Sequence, residues 1–454
     1  MVYYHNRAAS NQSCYTVQIR VIGRSSTAKL THIPDPLGAI KVSIGGGNLR
    51  FWRALRRRAL DESLPVYLVG GPVRDVLLGA PIKDLDFVLE GDAPALARSL
   101  AQELNADVIT HASFGTATVA LGDARIDLVT ARQETYLQPG ALPQVSAGTI
   151  DDDLARRDFS INALALPFFQ ERPEVIDPEG GLADLAGGAV RILHPRSFID
   201  DPTRILRAVR YEKRFGFQVE PATESRLRDA LAEGCMDTVS GDRLRHELER
   251  ILEEKDPLPA LERVAELGVL AAVDPAFKSD YALSKLHTVS FPAGDPDFRL
   301  TPLAYLSALV YHFSPADAEG LVRRLSLPRS WARVVRDTIE VRRREAELSF
   351  SSLSPSQLYD LLEGLSQEVV LIASLLTESA LVRRRLEQFL NELANVRPTL
   401  NGQDLLEMGV AEGPQVGQIL RRLQEARLDG KVTTAEGERR LVQNILGGEG
   451  GDAR

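Results

Sequence analysis

The run VYLVGGPVRDVLLGAPIKDLDFVLEG, Val66 to Gly91, decides the reading of this chain. Its apolar opening, Val66 to Val69, ends at a Gly-Gly pair; Val73 to Leu78 then has the spacing of a short helix and Leu85 to Leu89 that of a buried strand. Gly70 and Gly71 before a helix let the backbone come close to a phosphate, with the free N–H groups of the helix start aimed at it. Asp84 and Asp86 stand two apart in a strand, so their side chains leave on one face. Carboxylates placed like this repel at neutral pH unless a cation lies between them, and oxygen-only ligands suit Mg²⁺. An ordinary strand, turn and helix with a solvated strand end accounts for the same residues, and the run alone leaves both readings open.

Outward from this run, the pattern predicts a helix at Leu49 to Leu60 and another at Ala93 to Leu104. Strands are expected at Thr116 to Leu121 and Arg125 to Val129, joined by the turn Gly122-Asp123-Ala124. Asp127, within the strand RIDLVT, is either a third carboxylate at the same edge or an exposed strand residue. Gln133 to Thr149, with two prolines and two glycines, reads as a loop. Short strands are expected at Glu174 to Ile176 and Val190 to Leu193. Beyond them the period is helical, with breaks at Pro257, Pro292 to Pro296, Pro328, Pro355 and Pro398. The expectation is an α+β chain: a mixed-sheet head over 49–195, a helical neck over 196–275 and a helical body and tail over 276–454. Residues 1–48, rich in Ser, Gly and Asn with Asp35 as their one acid, read as a disordered extension or a start placed too early.

Composition narrows the class. The longest apolar runs, such as Val369 to Leu376, fall far short of the roughly 20 residues a bilayer span needs. Two cysteines with no CxxC pair and seven scattered histidines give no zinc spacing and point to a reducing, cytoplasmic setting without membrane partners. A net charge of −9 means that any nucleic-acid site must be a local basic patch. Candidates are Arg323, Arg324, Arg329, Arg333 and Arg336 with Arg342 to Arg344, and Arg383, Arg384 and Arg385; nearby Glu345 and Glu387 make a salt-bridged solvated face the competing reading. Neither GxGxxG nor GxxxxGK occurs, which removes the usual support for hydride transfer and P-loop hydrolysis.

Two downstream segments add charge chemistry. DDDLARRDFSINALAL places Arg156, Arg157, Asp158 and Asn162 within two helical turns; the arginines can neutralise phosphate, while Asp158 can accept from a ribose hydroxyl or cap a helix. FIDDPTRILRAVRYEKRFGF sets Asp201 three residues before Arg204, with Arg207 and Arg210 following in helical succession. An acceptor beside a donor fork can pair with the edge of a base; an i, i+3 ion pair is the plainer reading.

Taken in order, GGPVRDVLLG, KDLDFV, RIDLVTAR, RRDFSINALAL, DPEGGLADLAGG, DDPTRILRAVR and SGDRLRHELERIL resemble the bacterial-type (class II) tRNA nucleotidyltransferase and poly(A) polymerase family from about Leu64 to Leu252. The C-terminal LNGQDLLEMGVAEGPQVGQILRRLQEARLDGKV resembles the same family's helical tail. The resemblance implies a nucleotidyltransferase-type head, Mg²⁺ on Asp84 and Asp86, and a triphosphate held by Gly70, Gly71 and Arg74. It further implies that Asp158 reads the ribose 2′-OH, supported by Arg157, Asn162 and Arg132, and that Asp201 and Arg204 select C or A. Asp177, Gly180, Gly181 and Asp184 would form the hinge between head and neck. The implied reaction is attack of the tRNA 3′-hydroxyl on the α-phosphate of CTP or ATP, with no DNA partner. Two departures stand out: Asp200 where the family usually has Glu, and no Tyr-Asp-x-Arg-x-Pro core in Gln133 to Thr149. A full C-C-A repertoire, A addition alone and CC addition alone therefore stay open, with poly(A) synthesis and a silent RNA-binding scaffold behind them. No His-Asp phosphohydrolase motif follows, so phosphatase activity is not expected.

Overall fold

A computed structural model of the chain describes residues 35–82, 84–111, 114–277, 281–288 and 299–448. The fold divides into two compact units, one running to Glu247 and including Glu266–Val273, the other formed by Leu248–Ala265 and the chain from Asp274 onward.

The first unit starts with helices α1 (Pro36–Ser43) and α2 (Gly46–Asp61), followed by β1 (Val66–Val69), α3 (Gly71–Leu77), β2 (Leu85–Leu89) and α4 (Ala93–Leu104). Then come β3 (Asp107–His111), β4 (Thr116–Leu121), β5 (Ala124–Thr130), β6 (Arg132–Thr135), β7 (Gln144–Ala147), α5 (Ile150–Ala155) and β8 (Ala165–Pro167). Six strands form one mixed sheet in the order β3-β4-β5-β2-β1-β8, and β2 with β5 is its parallel pair. One face of this sheet is apolar: Leu85, Phe87, Ile126, Leu128, Ala117 and Val119 are buried. Helices α2 and α4 cover β4 and β5, and Trp52 of α2 sets its ring edge-on to Phe87 and Phe168. The opposite face carries a smaller cluster of Tyr67, Val69, Val88, Ala131, Ile150, Leu154, Ala163 and Ala165. On that same face, in register across the parallel pair, stand Asp86 and Asp127.

Several sequence expectations need correction. Residues 35–48, read as lying outside the fold, are inside it: the Asp35 carboxylate caps α1 by accepting from Gly38 N at 2.8 Å, and Leu37 and Ile40 are buried where α1 packs on α3. Residues 1–34 of that expectation lie outside the described residues. Gln133 to Thr149 is a hairpin rather than a loop, because β6 and β7 pair antiparallel (Glu134↔Val145). Both strands are largely polar and half-exposed, so no apolar alternation marked them. The edge strand β3 was missed for a similar reason, since every second residue of it is exposed. Glu174 to Ile176 supplies one bridge, Ala165↔Ile176, instead of a strand, and the strand expected at Val190 to Leu193 is β9 (Ala189–Val190).

Strand β9 pairs in parallel with β10 (Gln218–Val219). The helices of this part of the chain are α6 (Gly181–Gly187), α7 (Ser197–Asp200), α8 (Thr203–Phe215), α9 (Pro221–Ala232) and α10 (Gly241–Leu252), of which α6 and α8 pack on β9. Helix α8 has a buried face of Ile205, Leu206, Ala208 and Val209 and ends at Gly216 with φ +67, a left-handed cap that glycine adopts without strain.

In the second unit the apolar helix Gln367–Leu376 packs against Pro302–Val310, Arg329–Arg343 and Ala380–Gln388. The prolines that broke the helical pattern act as starts: Pro355 opens a helix capped by Ser354, and Pro328 precedes Arg329–Arg343. Pro292 to Pro296 lie outside the described residues. The last helices close over Leu400, Leu405, Val410, Ile419, Leu423 and Val442. Among the described residues no helix is long and apolar enough to cross a membrane.

If α1 is part of the head, Ile40→Ala lowers the unfolding free energy by about 2–5 kcal/mol, the cost of truncating a buried aliphatic side chain. Urea denaturation followed by circular dichroism reads this directly.

Candidate active site

Strand geometry creates the acidic part of the site. Asp84 precedes β2, Asp86 is within it, and Asp127 faces Asp86 across the parallel pair. Thr118 on β4 donates to Asp127 Oδ1 at 2.6 Å. Burial, countered by Arg157 and reinforced by the charges of Asp127 and Asp84, pushes the Asp86 carboxyl up to about 6. Among the described residues neither Asp84 nor Asp86 receives a protein hydrogen bond, and none forms a group of three or more side chains able to hold a metal ion. A pair of neighbouring carboxylates without donors among the described residues fits a hard cation that completes its shell from water and substrate phosphate.

The glycine turn lies beside these carboxylates, because β1 runs antiparallel to β2 (Leu68↔Phe87) and ends there. Gly70 has φ +68, and a side chain on it would meet the Arg157 guanidinium at 2.5 Å. Arg157 is anchored through Nη2 to Asp153 at 2.9 Å, while its buried Nε has no acceptor among the described residues. A buried guanidinium donor beside an open glycine turn suits a phosphate oxygen.

Behind the turn runs a chain of side-chain bonds. Arg74 of α3 donates to Asn162 Oδ1, Asn162 Nδ2 donates to Asp158 Oδ1 at 2.9 Å, and Arg207 of α8 donates through Nε to Asp158 Oδ2 at 2.8 Å. Phe159 N and Arg207 Nη2 complete the donors to Asp158. A carboxylate has about four acceptor sites, so protein donors fill this one. The expected ribose reading of Asp158 asks for a site already occupied. Burial would raise the Asp158 pKa, but Arg207 and Asn162 outweigh it and hold the carboxyl at about 2; the Arg207 guanidinium is held well above its ordinary value by the same pair against its own burial. Arg74, Arg207 and Arg210 all present their guanidinium groups to the ring of Tyr211, at 5.3, 5.6 and 4.8 Å from its centroid. Tyr211 and Phe215, an i, i+4 aromatic pair on α8, were not singled out in the sequence, where that spacing was their one signal.

Arg156, read as a second phosphate ligand, is instead bonded to Asp153 and to Glu134 Oε1 at 2.9 Å. Arg132 joins the same acid, with Nε 3.1 Å from Glu134 Oε1. These pairs brace the root of the β6–β7 hairpin. The i, i+3 ion pair between Asp201 and Arg204, the plainer of the two readings, is not made. Arg204 donates to Ser197 Oγ at 2.6 Å and to the Arg156 carbonyl at 2.9 Å, while Asp201 Oδ1 pairs with Arg243 Nη2 at 2.7 Å. Nothing local in the sequence could have linked Arg243 to Asp201. Asp200, the short member of its motif, pairs with Arg196 at 3.2 Å.

The segment expected as a hinge is tightly tied. Asp177 accepts from Gly181 N at 2.6 Å and Leu182 N at 3.0 Å, and Asp184 is held by Ser160 Oγ and by Arg191 Nε at 2.8 Å. Of the arginines expected to meet RNA, Arg333 donates to the Gly364 carbonyl and Arg383 to the Ser374 and Thr377 carbonyls. Arg323 and Arg384 are exposed.

Residues 66–191 match the family described as the poly A polymerase head domain, and 216–281 match the probable RNA and SrmB-binding site of polymerase A. A CC-adding tRNA nucleotidyltransferase of Deinococcus radiodurans is 34% identical over 86% of this chain and 92% of its own length. The chain belongs to the tRNA nucleotidyltransferase family. An A-adding tRNA nucleotidyltransferase of Geobacter sulfurreducens is 35% identical over 91% of the chain, which spans 48% of that longer protein. The Thermotoga maritima CCA-adding enzyme complexed with tRNA superposes with a TM-score of 0.70 at 31% identity, over 91% of this chain and 98% of that one. As a tRNA nucleotidyltransferase, the chain has an α+β head of the family's kind, and the family generally uses divalent metal ions.

The Asp158 pair makes a pH prediction for this nucleotidyltransferase. Its folded pKa is depressed from 3.8 to about 2, so its stabilisation is complete above pH 4 and disappears as the pH falls through about 2. Asp158→Asn therefore costs ~2 kcal/mol at pH 7 and little at pH 2, read by urea unfolding of both proteins across that range.

Proposed function

We propose that the chain transfers CMP or AMP from CTP or ATP to the 3′-hydroxyl of tRNA, releasing pyrophosphate and building or repairing the terminal C-C-A. The observation that carries this reading is the placement of donor-free Asp84 and Asp86 beside a glycine turn backed by the unpartnered Arg157 Nε. Gly70 and Gly71 admit the triphosphate, and Arg157 and Arg74 supply positive charge to it. Asp84 and Asp86, with Asp127 next to them, would hold Mg²⁺; that ion supplies charge neutralisation and activation of the attacking and leaving oxygens. Asp158 keeps Asn162 and Arg207 in place behind the nucleotide, and Arg210 adds to the same positive wall.

Base choice rests on Asp201 and Arg204. Cytosine and adenine both present an amino donor next to a ring-nitrogen acceptor, whereas uracil and guanine present an acceptor next to an N–H donor. An acceptor on Asp201 beside a donor on Arg204 pairs with the first order and opposes the second. The exposed arginines Arg323 and Arg384, with the half-buried Arg324 next to the first, would touch the tRNA backbone by charge, recognising its shape. A second reading, A addition alone, is favoured by the likeness to the Geobacter A-adding relative and by a hairpin without the Tyr-Asp-x-Arg-x-Pro core.

The test is incorporation on transcripts of one tRNA ending at the discriminator base, at C and at CC, with CTP, ATP or both, and Mg²⁺. Growth of the shortest transcript to C-C-A is the expected result, and AMP addition confined to the CC-ended transcript supports the second reading. Asp84→Ala should lower incorporation at least 10³-fold while gel-shift affinity for tRNA stays within about twofold. Incorporation undiminished in that variant rules the metal assignment out.

A further inference from the structure

From Asp86 the register of the sheet draws a row of side chains across four strands. Asp86 of β2 stands beside Asp127 of β5, Asp127 beside Thr118 of β4, and Thr118 beside Ile109 of β3. Residues paired in this way share one face of a sheet, and the alternate residues Leu85, Ile126 and Val119 are buried on the other, under α2 and α4. Ile109 closes the row and is 57% exposed, an apolar side chain left open on an edge strand. Strand spacings of about 4.8 Å put it roughly 14 Å from Asp86. A second row on the same face runs Arg125, Ala120, Asp107. Arg125 is exposed and makes no hydrogen bond or ion pair among the described residues, and its cross-strand neighbour Ala120 is too small to cover it.

The chemistry at the α-phosphate says what this face receives. The glycine turn that admits the triphosphate ends β1, on one side of β2, while β5, β4 and β3 continue the sheet on the other. In nucleotidyl transfer the attacking and leaving oxygens lie roughly in line through phosphorus. Pyrophosphate leaves on the side of the turn, so the 3′-hydroxyl arrives over β5, and the nucleotide that carries it extends toward Thr118 and Ile109. An exposed branched apolar side chain gives a base or ribose a dry surface, and an unpaired guanidinium gives a phosphate a donor fork. Asp107, the acid at the outer end of the second row, keeps phosphate at the Arg125 end of it.

We propose that Ile109 and Arg125 hold the 3′-terminal nucleotide of the acceptor RNA on the open face of β3, β4 and β5, Ile109 against its base and ribose and Arg125 on its phosphate. This rests on the nucleotidyl transfer proposed above. Strand β3 lies outside every motif that carried the family resemblance, and Arg125 has no part in the nucleotide site; the register of four strands is what joins both to Asp86.

The experiment takes the full chain and the tRNA transcript that it extends, in wild type, Ile109→Thr, Ile109→Leu, Arg125→Gln and Arg125→Lys. Threonine keeps a branched, strand-favouring side chain at an exposed position, so the fold is retained. In Ile109→Thr and Arg125→Gln, kcat is expected to fall about tenfold, with KM for the nucleotide and gel-shift affinity for whole tRNA within about twofold and the thermal midpoint unchanged. Ile109→Leu and Arg125→Lys, which keep the apolar surface and the charge, recover most of the rate. A second readout needs no turnover: the same transcript carrying 4-thiouridine at its 3′ end, irradiated on the wild-type chain, crosslinks between Asp107 and Arg125. Undiminished kcat in Ile109→Thr or in Arg125→Gln, a raised nucleotide KM at constant kcat, or crosslinks that miss this span overturn the inference while leaving the transfer reading in place. A wild-type chain that extends no RNA overturns that reading and takes this inference with it.

Discussion

The carboxylate of Asp158 receives Phe159 N, Asn162 Nδ2 and two guanidinium nitrogens of Arg207, and the head's glycine turn and helix α8 depend on it together. A buried acid on this scale is tolerated because each lone pair has a donor and a full positive charge stands against it. Remove one member and the rest lose their fixed positions: Asn162 carries the bond to Arg74, and Arg207 lies over Tyr211 with Arg74 and Arg210. The site is thus built backwards from a buried ion pair, with the open glycine turn and the donor-free aspartates at its front.

Arginine serves three purposes in this chain. Some, such as Arg156 and Arg132, brace acids inside the head; Arg333, Arg383 and Arg385 donate to carbonyls and secure helix ends and turns. Arg157 is tied to Asp153 and keeps a buried Nε without an acceptor among the described residues, beside Gly70. Counting arginines in a cluster could not separate these purposes, because the carbonyls they cap are set by tertiary packing.

How much of this was legible follows from range. Val66 to Val69, Leu85 to Leu89, Ala93 to Leu104 and Thr116 to Leu121 came out with the boundaries expected, since each buries an apolar face and has a glycine, proline or aspartate at its edge. The strands β3, β6 and β7 stayed hidden because half-exposed polar strands carry no period that differs from a loop. Helix α1 was hidden by its setting, eight residues after a stretch without pattern. At the site, the residue types were readable and the pairings were not: Asp201 sits three residues before Arg204 yet bonds Arg243.

The central claim is that Asp158 acts by holding Arg207 and Asn162, with no acceptor left for the ribose. Its most direct test is incorporation of the ribo- and 2′-deoxy- forms of whichever nucleotide the chain adds, in wild type and in Asp158→Asn. The account predicts that both forms slow by the same factor, so that the preference for ribose survives. Selective loss of the ribo- form, with the preference collapsing toward unity, would contradict it and return the 2′-hydroxyl to Asp158.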